Sequence, residues 1–204
     1  MTSSAFDEQV QRVVASLSSG GVALLPTDTV YGLAAVPTMS AAVDRIFALK
    51  RRPPEVNLPI MVSSIAELEG LGLALDGGAH RLLHSPLVPG ALTIALGFRG
   101  TAAVDWLRDR DEVAIRIPND RRLLEILRRI GPLLMTSANA HGNAAGEDVP
   151  EILAQLSGMP DVVIDGGTLP RVPSTLVNCR KTPPQIEREG VIPRSEVEKY
   201  LADA

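Results

Sequence analysis

Four short stretches bring together side chains able to do chemistry: "PTDTVYGL" (residues 26–33), "KRRPPEVN" (50–57), "TSANAHGN" (136–143) and "PSTLVN" (173–178). A fifth feature is Arg116, set between Ile115 and Ile117 in the apolar run "EVAIRIP". In an alternating strand Arg116 points away from the face its isoleucine neighbours share. A guanidinium taken out of water then needs a carboxylate or an anionic ligand beside it. Asp28 is the protein carboxylate that suggests itself, and an anionic ligand is the alternative. Lys50 and Arg52 add cations where a helical pattern stops, while Ser137 and Asn139 follow the most apolar strand of the chain. Each stretch has a bland reading. A Thr/Asp pair after a strand makes turns, and "KRR" suits a solvated helix end that favours the helix dipole. Together they describe a cationic, hydroxyl-rich cleft with no obvious nucleophile, acid–base dyad or metal cage. Such a site fits reactions in which the substrates bring the reactive groups while the protein positions them and neutralises charge, as in nucleotidyl or phosphoryl transfer.

Other chemistries lack their residues. The sequence has no G-x-x-x-x-G-K-[ST], G-x-G-x-x-G or G-x-S-x-G stretch, so the common phosphate-loop and serine-hydrolase signatures are missing. His80 and His84 share a helix face, but "HRLLH" lacks the glutamate of a metalloprotease; they are expected at the surface or in packing, and His141 in a loop. Cys179 is alone, which excludes an intrachain disulfide and suits a reducing compartment. A net charge of −4 argues against a protein that coats nucleic acid through general phosphate attraction, and 3% aromatics leave little for a base-stacking platform. "MTSSAFDEQVQRVV" does not resemble a signal peptide, and no apolar run reaches the roughly 20 residues of a membrane span, so a cytoplasmic protein without membrane contact is expected.

The elements that must position these side chains follow from periodicity. At 204 residues and 45% apolar, the chain suits one domain, 1–204, with a core of Val, Leu, Ile and Ala. Val10, Val13, Val14 and Leu17 repeat at helical spacing behind a Ser4/Asp7 cap and stop at Gly20 and Gly21. "VALLP" reads as a buried strand whose carboxyl end carries the hydroxyl cluster. A helix capped by Ser40 runs to "KRRPP", where Pro53 ends it. Strands follow at "LPIMV", "ALTIAL", "EVAIRIP", "PLLMTS", "VVID", "STLVN" and "QIERE". Helices are expected over 64–71, 77–84, 120–130 (capped by Asn119), 150–156 and from Ser195, with Glu198 closing a capping box. The pairs Arg121, Arg122 and Arg128, Arg129 around Glu125 read as a solvated, ion-paired face. The alternation gives an α/β fold, and the consecutive late strands make the sheet mixed. In such sheets ligands sit beyond the carboxyl ends of strands, where all the polar stretches fall.

In this order, "PTDTVYGL", the K-x-R of "LKRRP", the "RIP" after a strand, "TSAN" and "PST" resemble the YrdC family of L-threonylcarbamoyladenylate synthases, over Gly20 to Gly190. The resemblance implies a twisted mixed parallel/antiparallel sheet with flanking helices and a large, positively lined concave cleft, and the length matches the single-domain form. It implies a reaction of L-threonine, bicarbonate and ATP, with Mg²⁺ accompanying the nucleotide, to threonylcarbamoyl-AMP and pyrophosphate. The product would feed N6-threonylcarbamoyladenosine in tRNA, with tRNA and downstream transfer proteins as partners. Position by position, it places Thr29, Arg116, Ser137 and Ser174 on the threonine side. Lys50, Arg52, Asn57, Asn139 and Arg188 fall on the ATP side, with Lys50 and Arg52 as the catalytic pair. A non-catalytic RNA-binding or regulatory module using the same basic surface is the alternative.

Overall fold

The computed structural model describes residues 3–53, 57–108 and 110–202. Helix α1 (Ser3–Ser18) buries Val10, Val13 and Leu17 and gives way at Gly20, whose φ of 81° is open to glycine. Strands β1 (Ala23–Leu25) and β2 (Gly32–Ala35) then form an antiparallel hairpin with Leu25 opposite Gly32, so residues 26–31 are its connection. Helix α2 (Ser40–Lys50) ends at Arg51, a left-handed residue with φ 50° and ψ 41°. Next come β3 (Ile60–Met61), α3 (Ile65–Gly70), α4 (Gly77–Leu83), β4 (Leu92–Leu96), a 3-10 turn at Asp105–Leu107, and β5 (Val113–Arg116). The chain continues through α5 (Arg121–Ile130), β6 (Leu133–Ser137), α6 (Val149–Gln155), β7 (Val162–Val163), β8 (Thr175–Asn178), β9 (Gln185–Arg188) and α7 (Arg194–Leu201).

The described strands make one mixed sheet in the order β7-β1-β2-β6-β3-β5-β4-β8-β9. The pairs β1/β7, β3/β5 and β4/β8 are parallel and the others antiparallel, as the α/β reading with consecutive late strands expected. One sheet face carries the larger core, which includes Leu24, Leu33, Ile46, Ile94, Ile115 and Val177. The other face is covered by α1 and α5 through Val10, Val13, Leu17, Leu123, Ile126 and Leu127, packed on Leu25, Ala34, Leu133, Met135 and Met61. Arg129 ties the two helices, reaching Asp7 at 2.9 Å and Glu125 at 2.8 Å, and Arg121 lies 4.7 Å from the Phe6 ring centroid. No helix among the described residues is long and apolar enough to cross a membrane.

Several local expectations change. β2 is an added strand: "GLAA" has no β-branched or aromatic residue, and its state comes from pairing with β1 and β6 on either side. Ser4 lies inside α1, where its hydroxyl bonds Glu8, and Ser40 is the first residue of α2 behind Met39. Asp120 caps α5 in place of Asn119, its carboxylate accepting from Leu123 N at 2.7 Å. α7 is entered through Pro193 without a side-chain cap. The 3-10 turn was not expected.

Candidate active site

Alternation along β5 builds the site. Val113 and Ile115 enter the larger core, so Ala114 and Arg116 face the opposite side, where the cover of α1 and α5 stops near β3. The same phase turns Thr93 of β4 and Leu176 of β8 to that side. The result is a cavity of about 310 Å³ floored by the open part of the sheet and walled by the β1–β2 connection, the segment after α2, and the ends of β6, β8 and β9. That volume lies at the small end of ligand pockets.

Arg116 is the centre of its polar wall and is 3% exposed. Its Nε donates to Gly90 O at 2.9 Å, one terminal nitrogen to Thr29 Oγ1 at 2.7 Å, and the other to Asp28 at 2.7 Å. Of the two partners proposed for a buried arginine, the carboxylate is present in Asp28, and Arg116 also borders the cavity. Arg188 approaches from β9, donating twice to Ser174 O, at 3.1 and 2.9 Å, and once to Ser174 Oγ at 3.3 Å. Ser174 Oγ is also 2.7 Å from Thr93 Oγ1. Gly190 permits this closeness, because a Cβ there would lie 2.1 Å from Pro173 O. Arg52 enters from the other side, donating to Asn57 O at 3.1 Å. Burial lowers all three guanidinium pKa values. Asp28 opposes the fall at Arg116, and the Arg116 charge deepens it at Arg188. No carboxylate lies among the described residues that line the cavity, where the three cations share a partly dry space that favours an anion.

The hairpin connection is fixed on both sides. Tyr31 is buried with its hydroxyl donating to Gly167 O at 2.7 Å and accepting from Gly166 N at 2.8 Å, which fastens the loop after β7. Burial raises its pKa, so the phenol stays protonated. Thr27 and Thr29 are bonded to each other at 3.0 Å.

The family model covering Sua5, YciO and YrdC, described as "Telomere recombination", matches residues 15–190. The chain belongs to this Sua5/YciO/YrdC family. It is 32% identical to a Bacillus subtilis threonylcarbamoyl-AMP synthase over 96% of this chain and 57% of that protein. Pyrococcus abyssi Sua5, solved in complex with L-threonine, superposes with a TM-score of 0.81 at 29% identity, covering 94% of this chain and 56% of that one. The structure of Escherichia coli YciO gives 0.79 at 28% identity over 90% of each chain. The chain therefore spans just over half the length of the Bacillus and Pyrococcus relatives.

Of the residues that the family resemblance singled out, Thr29, Arg52, Asn57, Arg116, Ser137, Ser174 and Arg188 line the one cavity. Lys50 and Asn139 do not. Arg51 turns the chain so that Arg52 reaches the cavity while Lys50, 1% exposed, runs behind its wall. There the Lys50 ammonium donates to Ser137 O, to Asn139 O at 2.7 Å and to Asn139 Oδ1 at 3.3 Å. Burial, with Arg52 nearby, lowers its pKa to about 8. The Asn139 amide donates to Ala140 O at 3.0 Å and Asn143 O at 2.7 Å. Lys50 and Asn139 thus shape the "TSAN" loop, and Ser137 is the residue that loop presents. Its hydroxyl lines the cavity without a hydrogen bond to any described residue. Sequence reasoning missed Thr93 as a wall residue, although its phase against Leu92 and Ile94 carries that signal, and gave no hint of the Tyr31 clamp.

Proposed function

We propose that this chain is an L-threonylcarbamoyladenylate synthase. The reading rests above all on one observation: Arg52, Arg116 and Arg188 meet around a cavity lined by no carboxylate among the described residues, beside a Ser137 hydroxyl that bonds none of them. The names of the Bacillus and Pyrococcus relatives support it. In the proposed reaction the neutral threonine amine and bicarbonate condense to a carbamate, the bicarbonate oxygen leaving as water with the amine proton. A carbamate oxygen then attacks the α-phosphorus of ATP, and the bond to pyrophosphate breaks. The threonine carboxylate, the carbamate and the triphosphate all carry negative charge, so positioning and charge neutralisation are what the protein must supply.

Arg116, Ser174, Thr29 and Ser137 would hold the amino acid; Arg52, Asn57 and Arg188 would hold the carbonate and phosphates. Lys50 and Asn139 would act through the loop that carries Ser137. A divalent ion would arrive bound to ATP, while Asp28 is engaged by Arg116. The product is a mixed anhydride, which fits transfer of its acyl group to an amine such as adenosine N6 in tRNA by a further protein, and this soluble chemistry suits a cytoplasmic setting.

The test is pyrophosphate release by the purified chain with ATP, Mg²⁺, bicarbonate and single amino acids. Release that requires both L-threonine and bicarbonate is expected. Equal release with every amino acid, or none with threonine, would leave a binding module as the better account.

A further inference from the structure

The Thr27 hydroxyl has its hydrogen bonds fully assigned. It donates to Val30 O at 2.7 Å, accepts from Thr29 N at 3.0 Å, and lies 3.0 Å from Thr29 Oγ1. A carbonyl only accepts and a hydroxyl carries one proton, so the Thr27 proton is committed to Val30. The proton between the two threonines therefore belongs to Thr29. Thr29 Oγ1 also accepts from Arg116 at 2.7 Å, which leaves it a single lone pair. Thr29 lines the cavity, so that lone pair is what its hydroxyl can offer a ligand.

We propose that Thr27 is a positioning residue that holds the Thr29 hydroxyl as an acceptor toward the cavity, where it takes a hydrogen bond from the side-chain hydroxyl of a β-hydroxy amino acid. The identity of the substrate as an amino acid rests on the synthase reading above. An ammonium at this spot would face the Arg116 guanidinium at close range, like charge against like charge in a partly dry site. An ether or carbonyl oxygen would set lone pair against lone pair. A hydroxyl fits, since it is a neutral donor. Thr27 acts through Thr29, because its own proton and both its lone pairs are already used.

The experiment is calorimetric titration of L-threonine and of L-2-aminobutyrate, which lacks the hydroxyl, into the full chain. Wild type is expected to favour threonine by at least about tenfold, the scale of one lost hydrogen bond in a buried site. Thr27→Val frees the Thr29 proton and should shrink that preference to about threefold or less, while Thr27→Ser restores it. A change in stability alone would not alter the ratio. Thr27→Ala gives the same loss of preference with a smaller side chain, so a folding failure of Thr27→Val leaves the test intact. Equal binding of both amino acids by wild type, or full preference retained in Thr27→Val and Thr27→Ala, overturns the proposal. Binding is read without turnover. A chain that shows these preferences yet releases no pyrophosphate would therefore keep the positioning role and lose the synthase reading. A wild type that binds no threonine would lose both.

Discussion

Lys50 and Asn139 form a closed unit in which the Lys50 ammonium lies 2.7 Å from the Asn139 carbonyl and 3.3 Å from its side-chain oxygen, with Ser137 O as the third acceptor. A lysine so placed has no proton to spare for a substrate. Its pKa falls from about 10.5 to about 8 on burial, and this gives activity and stability opposite pH trends. Below pH 8 the side chain is charged in both folded and unfolded chains, and burying that charge costs stability. Between about 8 and 10.5 the unfolded chain binds the proton that the folded chain has released, so stability rises with pH. At about 1.4 kcal/mol per pH unit, wild type should gain roughly 3 kcal/mol over Lys50→Met from pH 7 to pH 11. Turnover should fall over the same range, because a neutral amine has two N–H groups for three oxygens. Denaturant melts and rate profiles of both proteins check it; parallel pH trends in the two measurements would refute the clamp.

Asp28 and Arg116 form a pair whose side chains are 16% and 4% exposed. Asp28→Asn should cost roughly 2 kcal/mol, less than the 3–5 kcal/mol typical of removing a buried partner, because the amide oxygen still accepts a hydrogen bond. Threonine supplies a carboxylate in place of the lost charge and should raise the melting temperature of the variant more than that of wild type. Equal shifts would separate Arg116 from the carboxylate.

Arg52→Ala and Arg188→Ala each remove a cation facing the charge that develops on the phosphates. Turnover should drop by roughly 10²–10³-fold in each. Melting temperature should move little in Arg52→Ala and fall modestly in Arg188→Ala, which also loses the bonds from Arg188 to Ser174. Arg128→Ala, at the exposed end of α5, is the control and should leave turnover unchanged. Full activity in the cavity variants would return both arginines to the solvated surface.

Ser137→Ala deletes a hydroxyl with no hydrogen bond to any described residue, so thermal melts should match wild type. If that hydroxyl meets a charged ligand group, its loss costs about 1.5–3 kcal/mol, or roughly 10- to 150-fold in threonine requirement or rate. Ser157 behaves differently from the plain surface residue its position suggests, because its Oγ accepts from Arg51 Nε at 2.6 Å. Ser157→Ala should leave threonine kinetics alone while loosening the end of α2. A destabilised but fully active Ser137→Ala protein would make "TSAN" pure architecture.

What could be read from the sequence was whatever depends on local periodicity. The face to which Arg116 points follows from its isoleucine neighbours, and the order of helices and strands follows from apolar spacing. Pairing across the sheet decided the rest. "GLAA" becomes a strand because β1 and β6 flank it, and Lys50 leaves the cavity because Arg51 adopts a left-handed conformation that a non-glycine residue seldom shows. Neither fact has a local signal. Capping was legible only to within a residue: at α5 Asn119 and Asp120 stand side by side and Asp120 makes the cap, while α2 and α7 begin behind Met39 and Pro193 with no side-chain cap.

The wall of the cavity draws on side chains from Thr27 to Arg188, and the bonds that join its parts, such as Arg116 to Thr29, link residues 87 positions apart. A ribosome must therefore deliver nearly all of the described sequence before the first substrate can be held, and closing such distant loops places folding on the slow side for a chain of this size. The same geography makes a bound substrate a fastener for the entire sheet. Occupancy at 100 times the dissociation constant would add about 2.7 kcal/mol against global unfolding, so the abundance of the protein in a cell would follow the supply of what it binds.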